Sequence, residues 1–426
     1  MKAPYPALLV LALSAAPLHA QTAAATKPRI QNGFATDRLG RIDQMMQRYV
    51  DEGRIAGAVG LVMRDGRIVY ERAVGYADKE AGRRMAPDAI FRIASQTKAI
   101  TSAAILILLE EGRIGLEDPV SRYIPTFSRT TVASRSDTGR VTVPAKRAIT
   151  IRDLLTHTAG ISYGTEPLVA PLYRAKGLGP AAGQGWYTAD KNEPICATME
   201  RLGTLPFVAQ PGERYVYGYN TDILGCVVER ASGIPLDQFI RTRITDPLGM
   251  KDTFFFLPPE KRQRLTAVYL ADSTGQVHRA PNGPLGQGDY VDGPRRSFAG
   301  GAGLLSTARD YARFLQMLLN GGELDGARIL APKTIELMTT NQVGDLFNWT
   351  PGQGFGLAFG TTDRAGADGL TSVGSWWWAG AYSTVYKVDP KEGLVMVFMI
   401  QQFPYGAEAT ARFPTLVYQA LVEPTK

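Results

Sequence analysis

The stretch SQTKAITSAAILILL, residues 95–109, decides how the rest of the chain must fold. Residues 99–109 would be apolar on nearly every side of a helix, whereas a helix at a protein surface keeps one polar face. We therefore predict a helix that is buried inside the protein, with Gly112 available to end it. A helix of this kind needs apolar layers all around it, and the flanking segments must supply them.

The segments on either side of this helix have the patterns of a mixed α and β layer. Residues 37–51 have helical apolar spacing, and two strand patterns follow them, joined by an Asp65–Gly66 turn. Short strand patterns return late in the chain, ahead of a closing helix over residues 407–422. The predicted strands are residues 56–63, 67–75, 354–361, 371–378, 383–388 and 394–400.

The region between the two groups of strands has helical patterns separated by long irregular loops. Short helices are predicted over residues 150–156, 192–201 and 221–230. We predict an α/β (α+β) fold in which strands from both chain ends form one antiparallel sheet, flanked by the terminal helices. The sheet domain would comprise residues 36–112 and 290–426, and a mainly helical domain would comprise residues 113–289.

The N-terminus has the features of a cleaved export signal. Lys2 precedes a ten-residue apolar run over residues 7–16, and Ala20 ends a suitable cleavage site. The run is shorter than the ~20 residues of a membrane-spanning helix, so a stable anchor is the weaker alternative. We predict a signal peptide over residues 1–20, a disordered leader over residues 21–35, and a periplasmic or secreted protein.

Charge and histidine content argue against several classes of function. The formal net charge of +7 is spread along the chain, without the block of Lys and Arg that binds nucleic acid. After removal of the signal peptide only His157 and His278 remain, too few for a multi-histidine zinc site. We therefore expect no metal, no cofactor and no nucleic-acid partner.

The two cysteines, Cys196 and Cys226, leave two states open. In an exported protein they can form a disulfide. Cys226 lies in an apolar helical pattern, however, where a buried free thiol would pack equally well.

The buried helix begins with a Ser-x-x-Lys pattern, Ser95 to Lys98, that occurs at no other serine of the chain. Side chains three residues apart lie on the same face of a helix. Serine needs an adjacent base to become a nucleophile, and a lysine can serve as that base when an apolar environment keeps it neutral. The helix N-terminus would add backbone donors for an oxyanion. The alternative is an N-cap serine followed by a solvated lysine.

Three other features compete for a catalytic role. The stretch YVYGYN at residues 215–220 offers a tyrosine as a proton relay, although alone it indicates only stacked aromatic side chains. A Gly-x-Ser-x-Gly pattern at residues 160–164 centres on Ser162. A nucleophile elbow needs a strand before the serine and a helix after it, and here a helix precedes and a loop follows, so we predict a turn. His157 is predicted to end a short helix and to bond nearby backbone.

Four segments of the chain carry a family resemblance when they are taken together. They are FRIASQTKAITSAAILILLEEGRIGLEDPVSRYIP, TIRDLLTHTAG, PGERYVYGYNTDILG and GAGLLSTARDYARFLQMLLNGG. Over residues 37–422 the chain resembles the serine β-lactamase-related family, which includes class C β-lactamases, D,D-peptidases and family VIII carboxylesterases. The resemblance implies an α/β domain built from both chain ends, a helical domain between them, and an active site at their junction.

The first two motifs of that family fall on named residues of this chain. The resemblance implies that Ser95 is the nucleophile and that Lys98 is its base. The tyrosine of the family's Tyr-x-Asn motif falls on Tyr217. Its third position is then Tyr219 rather than asparagine, a departure that puts the usual amide contact to substrate in doubt.

The third family motif, Lys-Thr-Gly on a late strand, falls on Trp378, Ala379 and Gly380. This sequence is similar to the Trp-Gly-Gly of family VIII esterases. The resemblance implies that the N–H of Ala381 is one donor to the oxyanion and that the N–H of Ser95 is the other.

The resemblance therefore implies a serine hydrolase that acts through a covalent acyl-enzyme on a small-molecule ester or amide. The leading interpretation is a carboxylesterase for short neutral esters, because Trp378 offers an apolar face where lactam-processing relatives have a lysine. The second is a β-lactamase or D,D-peptidase with the same machinery, and the third is a non-catalytic binder of peptidoglycan peptides. Turnover of a short ester and of a cephalosporin would separate the three.

Overall fold

An eight-stranded antiparallel sheet, built from both ends of the chain, lies at the centre of the fold. The computed structural model describes residue 1 and residues 29–425, except residues 138, 179–189, 284–285 and 348. The strands of the central sheet are, in chain order, β1 Gly57–Arg64, β2 Arg67–Asp78, β3 Arg83–Arg84, β4 Gln353–Phe355, β5 Gly360–Thr362, β6 Trp376–Gly380, β7 Thr384–Asp389 and β8 Leu394–Met399. Their order across the sheet is β4-β5-β6-β7-β8-β1-β2-β3. The antiparallel pairing of β8 with β1 joins the two chain ends and confirms the predicted fold class.

The helices of the described chain lie around this sheet and in the segment between its two halves. They are α1 Thr36–Asp51, α2 Thr97–Glu110, α3 Ile151–Leu155, α4 Ala170–Ala175, α5 Ile195–Leu202, α6 Asn220–Ser232, α7 Leu236–Ile240, α8 Ala308–Leu319, α9 Pro332–Thr339 and α10 Glu408–Ala420. None of the helices in the described ranges is long and apolar enough to cross a membrane.

Strands β1 and β8 divide the core into two layers, because alternate side chains of a strand point to opposite faces. Val59 and Leu61 join the larger core, which contains α2 and α8. Ala58 and Val62 join the smaller core, which α1 and α10 cover. A Cβ at Gly60 would lie 3.0 Å from the Phe413 ring, so glycine at this position lets α10 pack close to the sheet.

Helix α2 is buried, as its sequence predicts. Every residue from 97 to 108 is buried, including the polar ones. The helix packs against α6, while α8 covers β1 and β8 on the same side of the sheet. A single 3₁₀ turn, Ala94–Gln96, precedes α2 and carries the serine of the Ser-x-x-Lys pattern.

Two predicted strands differ from those in the structure. Residues 354–361 contain the turn between β4 and β5 rather than one strand, since the Gly356 N–H donates to the Phe359 carbonyl at 2.8 Å. The strand predicted over residues 371–378 begins only at Trp376, because the Ser375 N–H turns back to the Ser372 carbonyl at 3.1 Å. In both cases the aromatic and branched residues predicted a continuous strand, and a local backbone turn interrupts the pairing with the neighbouring strand.

The prediction of a disordered leader is wrong for residues 30–35. Ile30–Gln31 pairs with Phe34–Ala35, and Phe34 is fully buried in the core under α1 and α10. The buried ring acts together with backbone bonds, because the N–H groups of Val422 and Glu423 donate to the Gly33 carbonyl and Arg64 donates to the Asn32 carbonyl. Residues 2–28, with nearly all of the predicted signal peptide and most of the predicted leader, lie outside the described residues.

Short strand pairs lie outside the central sheet. They are Thr131–Ser136 with Gly139–Pro144, Phe91–Arg92 with Leu305–Ser306, Glu323–Leu324 with Ala327–Arg328, and Tyr269–Ala271 with both Val277–Arg279 and Gln402–Phe403. The first of these hairpins was not predicted. All six residues of its second strand are exposed, so the strand has no buried face to mark it in the sequence.

A disulfide joins α5 to α6 and settles the question that the spacing of the cysteines left open. Cys196 and Cys226 are bonded, with their Cα atoms 5.0 Å apart. The bond ties the α5 side of the helical region to the helix that packs against α2.

Replacing both cysteines by alanine should lower the free energy of unfolding by about 3–4 kcal/mol, because the bond shortens a long loop in the unfolded chain. Urea unfolding followed by tryptophan fluorescence would measure this difference. The matched control is the wild-type protein in reducing buffer, which should lose the same stability. Detection of two free thiols in the denatured, unreduced protein would contradict the prediction.

Candidate active site

The turn that carries Ser95 is held in an unusual backbone conformation. Ala94 has φ of +44°, a left-handed value that a non-glycine residue adopts at a cost of about 1–3 kcal/mol. Ala94 is buried, and the hydroxyl of Tyr311 donates to the Gln96 carbonyl at 2.8 Å. The surrounding core thus imposes the turn, and Ser95 is presented at its centre just ahead of α2.

Lys98 brings three segments of the chain together at one nitrogen atom. Its side chain is only 2% exposed, and Nζ lies 3.2 Å from Ser95 Oγ and 3.2 Å from the Tyr163 hydroxyl. Nζ also donates to the Gly301 carbonyl at 2.7 Å. A carbonyl can only accept, whereas hydroxyls both donate and accept. A neutral amine in this position can therefore keep its bond to Gly301 and take the proton of Ser95.

Two tyrosines contact this lysine in different ways. The ring centre of Tyr217, the tyrosine of the predicted motif, lies 4.6 Å from Lys98 Nζ. Its hydroxyl accepts a hydrogen bond from Trp378 Nε1 at 3.3 Å. The tyrosine hydroxyl within hydrogen-bonding distance of Lys98 Nζ belongs to Tyr163, for which the sequence predicted only a place in a turn. Burial, with Tyr217 and other neighbours adding to it, raises the pKa of Tyr163 well above its ordinary value.

Tyr163 could not have been found from its local sequence. It lies in the Gly-x-Ser-x-Gly pattern, where Ser162 is buried and donates to Glu166 at 2.6 Å while accepting the Gly164 N–H at 3.0 Å. These bonds make the segment a turn, as predicted, and that turn directs the tyrosine toward α2. Only the packing of the turn after α3 beside Lys98 in the folded chain reveals the contact.

Tyr219 and His157 belong to the packing behind the site. Tyr219 is fully buried, with its ring centre 4.9 Å from that of Tyr163. The His157 carbonyl accepts the Val216 N–H at 2.7 Å, and Nδ1 lies 2.8 Å from Asn220 Nδ2. Burial, and then the charge of Lys98, lower the pKa of His157 well below its ordinary value, so the ring is neutral. In the described part of the chain, no three His, Cys, Asp or Glu side chains are grouped to hold a metal.

The end of strand β6 lies directly against the serine turn. A Cβ at Gly380 would lie 2.4 Å from the Ile93 carbonyl, so only glycine permits this approach. Ala381 follows at once and packs in the same apolar cluster as Ala94. Strand alternation directs Trp378 toward the site and Ala379 to the opposite face of the sheet.

Trp378 is the centre of a group of rings that we call the aromatic wall. Its members are Tyr215, Tyr217, Phe347, Trp349, Phe355 and Trp378. Trp349 stacks on Trp378 with ring centres 5.5 Å apart and planes 24° apart, and it is 56% exposed. Trp349 and Phe347 were not predicted from the sequence, because they lie in a loop without periodicity. The wall gives the mouth of the site an apolar and aromatic surface.

Comparison with known proteins places the chain in a family. The sequence profile of the Beta-lactamase family matches residues 42–420. An uncharacterized protein of Mycobacterium tuberculosis is 37% identical over 400 residues, which cover 89% of this chain and 95% of that protein. Esterase EstB of Burkholderia gladioli is 32% identical over 394 residues, which cover 89% of this chain and 94% of that esterase.

Solved structures give the same result. EstCE1, described as a hydrolase with promiscuous acyltransferase activity, superposes with a TM-score of 0.75 at 28% identity. The superposition covers 91% of this chain and 99% of EstCE1. The chain therefore belongs to the Beta-lactamase family, and it is a serine hydrolase.

Proposed function

We propose that the protein is a carboxylesterase that hydrolyses short neutral esters through an acyl-enzyme on Ser95. The observation that carries the proposal is the buried Lys98 amine, which lies 3.2 Å from Ser95 Oγ. In the non-catalytic alternative, Ser95 would only cap the helix and Lys98 would be solvated, so its amine would be exposed.

Acylation begins when Lys98 accepts the proton of Ser95. The Ser95 oxygen attacks the ester carbonyl, and the carbonyl oxygen becomes an oxyanion that the N–H groups of Ser95 and Ala381 stabilise. The carbon–oxygen bond to the leaving alcohol then breaks. The proton held by Lys98 passes through a tyrosine hydroxyl to the departing alkoxide, so an alcohol leaves and the acyl group stays on Ser95.

Deacylation runs the same steps with water as the nucleophile. Water loses a proton to the lysine–tyrosine pair and attacks the acyl carbonyl, and the Ser95 oxygen leaves and regains a proton. The net reaction consumes one ester and one water and gives one acid and one alcohol.

The two tyrosines have separate roles in this scheme. Tyr217 is assigned the relay by its place in the family motif. Its ring lies beside Lys98, and because its hydroxyl accepts from Trp378 Nε1, that hydroxyl keeps its own proton to donate to the departing alkoxide. Tyr163 orients the amine, because its hydroxyl is fixed at 3.2 Å from Nζ in a buried turn.

The aromatic wall supports an ester rather than an anionic lactam as substrate. Trp378 stands where lactam-processing relatives offer a lysine to the substrate carboxylate. An ammonium–carboxylate contact of that kind contributes about 1.5–3 kcal/mol, which an indole cannot supply. The apolar faces of Trp378 and Trp349 suit neutral acyl or alkoxy groups instead. The similarity to Esterase EstB agrees with this choice.

Export to the periplasm or outside the cell completes the proposal. The signal-like residues 1–20 support it, and so does the Cys196–Cys226 bond, since disulfides persist in oxidising compartments.

Ser95 should be the residue that a fluorophosphonate probe labels, as mass spectrometry of the adduct would show. Ser95→Ala should lose both the label and at least about 1,000-fold in kcat, because only binding and oxyanion effects remain. Ser162→Ala is the matched control and should keep the label. Labelling at Ser162, or none at all, would contradict the assignment, and absence of any turnover would favour a peptidoglycan-peptide binder.

Tyr217→Phe should lower kcat by about 100-fold or more, because it removes the proton relay. Tyr163→Phe should lower kcat by only about tenfold, the worth of one orienting hydrogen bond. The Lys98→Ala/Tyr217→Phe double variant should lose far less than the product of the two single losses, because both residues serve one proton path. A larger loss for Tyr163→Phe than for Tyr217→Phe would reassign the relay to Tyr163.

The specificity constant for p-nitrophenyl butyrate should exceed that for a chromogenic cephalosporin by more than about tenfold, given the missing carboxylate contact. Trp349→Ala should weaken turnover of the butyrate ester more than that of the acetate ester, because the longer acyl chain uses more of the wall. A cephalosporin processed as well as the ester would make the protein a β-lactamase that binds the carboxylate by other groups.

A further inference from the structure

Gly301 links the Lys98 amine to a buried carboxylate on another helix through the two peptide groups that flank its Cα. Its carbonyl accepts from Lys98 Nζ at 2.7 Å, and its N–H donates to Asp222 Oδ1 at 3.0 Å. A Cβ at Gly301 would lie 2.4 Å from the other carboxylate oxygen, so Asp222 lies directly against this residue. The carboxylate therefore holds the Gly300–Gly301 peptide group, and the carbonyl that receives the amine follows one Cα further along the chain.

An ionised carboxylate at the position of Asp222 is unfavourable for the free energy of folding. It lies in the first turn of α6, it is 2% exposed, and no ion pair to it is present in the described part of the chain. A buried carboxylate without a paired cation costs several kcal/mol unless it is neutralised. Burial raises the pKa of Asp222 to about 6, with Lys98 and the Gly301 N–H opposing that rise. The group of opposite charge that Asp222 faces is therefore the amine of Lys98.

The other groups around Asp222 do not supply the opposite charge that a buried carboxylate needs. Besides Lys98 of α2, the titratable group that faces it is Tyr163, after α3. The segment that holds Gly301 contributes a backbone N–H. Toward α5 and α7 the acidic group is Glu229, which lies about two turns further along α6 and bonds the Leu236 N–H.

We propose that Asp222 is a positioning residue that orients the Lys98 amine through Gly301 and stabilises the ammonium formed when Lys98 takes the Ser95 proton. The inference rests on the proposed function of Ser95 and Lys98, and it deepens that function. In this role Asp222 acts through Gly301 and through its charge, and its own proton does not enter the reaction.

The charge on Asp222 predicts a pH dependence of the reaction. Above about pH 6 the carboxylate is ionised and stabilises the ammonium that forms on Lys98 during the reaction, and below that pH it is neutral and this support is lost. A variant without the charge lacks this support at every pH. Its maximal rate should therefore be lower than that of the wild type, and the rise of activity through about pH 6 should be absent.

The experiment compares Asp222→Asn, which can still accept the Gly301 N–H but has no charge, with Asp222→Ala, which has neither. For p-nitrophenyl butyrate, Asp222→Asn should keep KM within about twofold and lower kcat on the order of tenfold. The inflection of kcat/KM near pH 6, where Asp222 of the wild type gains its charge, should be absent. Asp222→Ala should lose more than Asp222→Asn.

The matched control is Asp310→Asn. Asp310 is also buried, burial also raises its pKa to about 6, and its carboxylate likewise accepts a backbone N–H, that of Asp252 at 2.7 Å. Asp310→Asn should leave the pH profile unchanged. An Asp222→Asn enzyme with the wild-type profile and kcat would overturn the inference while leaving the proposed esterase intact.

The wild-type protein supplies a second test that does not depend on a folded variant. The rate of Ser95 labelling by a fluorophosphonate should show an inflection near pH 6, where Asp222 gains its charge. A labelling rate that crosses this region without an inflection would overturn the role of Asp222. Failure of the wild type to label at all would instead overturn the proposed function.

Discussion

The burial of one amine is the constraint on which the rest of the structure depends. A charged or neutral nitrogen inside a protein must have its hydrogen bonds satisfied by groups that the fold itself supplies. For Lys98 those groups come from three places: the turn before α2, the turn after α3 and the segment around Gly301. These three segments must therefore meet at α2, and the candidate site lies where they meet.

The polar residues of α2 have their explanation in the same junction. The Thr101 hydroxyl donates to the Gly300 carbonyl at 2.8 Å, and the Thr97 hydroxyl accepts the Leu304 N–H at 3.0 Å. These bonds hold the segment that contains Gly301 along the helix, so that its carbonyl faces Lys98. Helix α2 thus keeps these two threonines because the segment that contains Gly301 lies against it.

The sequence predicted those parts of the protein that depend on periodicity and on short motifs. The apolar run of α2, the alternation of β1 and β8, and the spacing of Ser95 and Lys98 are local signals, and the structure brings their residues together as expected. Tyr163 and Trp349 could not be predicted, because each enters the site from a loop whose course depends on tertiary packing. The order of residues 30–35 could not be predicted for a related reason, since it depends on the burial of Phe34 and on bonds to Arg64, Val422 and Glu423, all distant in sequence.

The pairing of β1 with β8 affects how the protein folds during its synthesis. Leu61 and Val397 lie opposite each other, although nearly the whole chain separates them in sequence. Contacts between such distant residues form slowly, because a large loop must close and lose conformational entropy before the contact contributes any stability. During synthesis the β1–β2 hairpin and α2 emerge early and must wait, with apolar surfaces uncovered, for the last strands. The protein is therefore most exposed to aggregation and proteolysis before its C-terminal strands are in place.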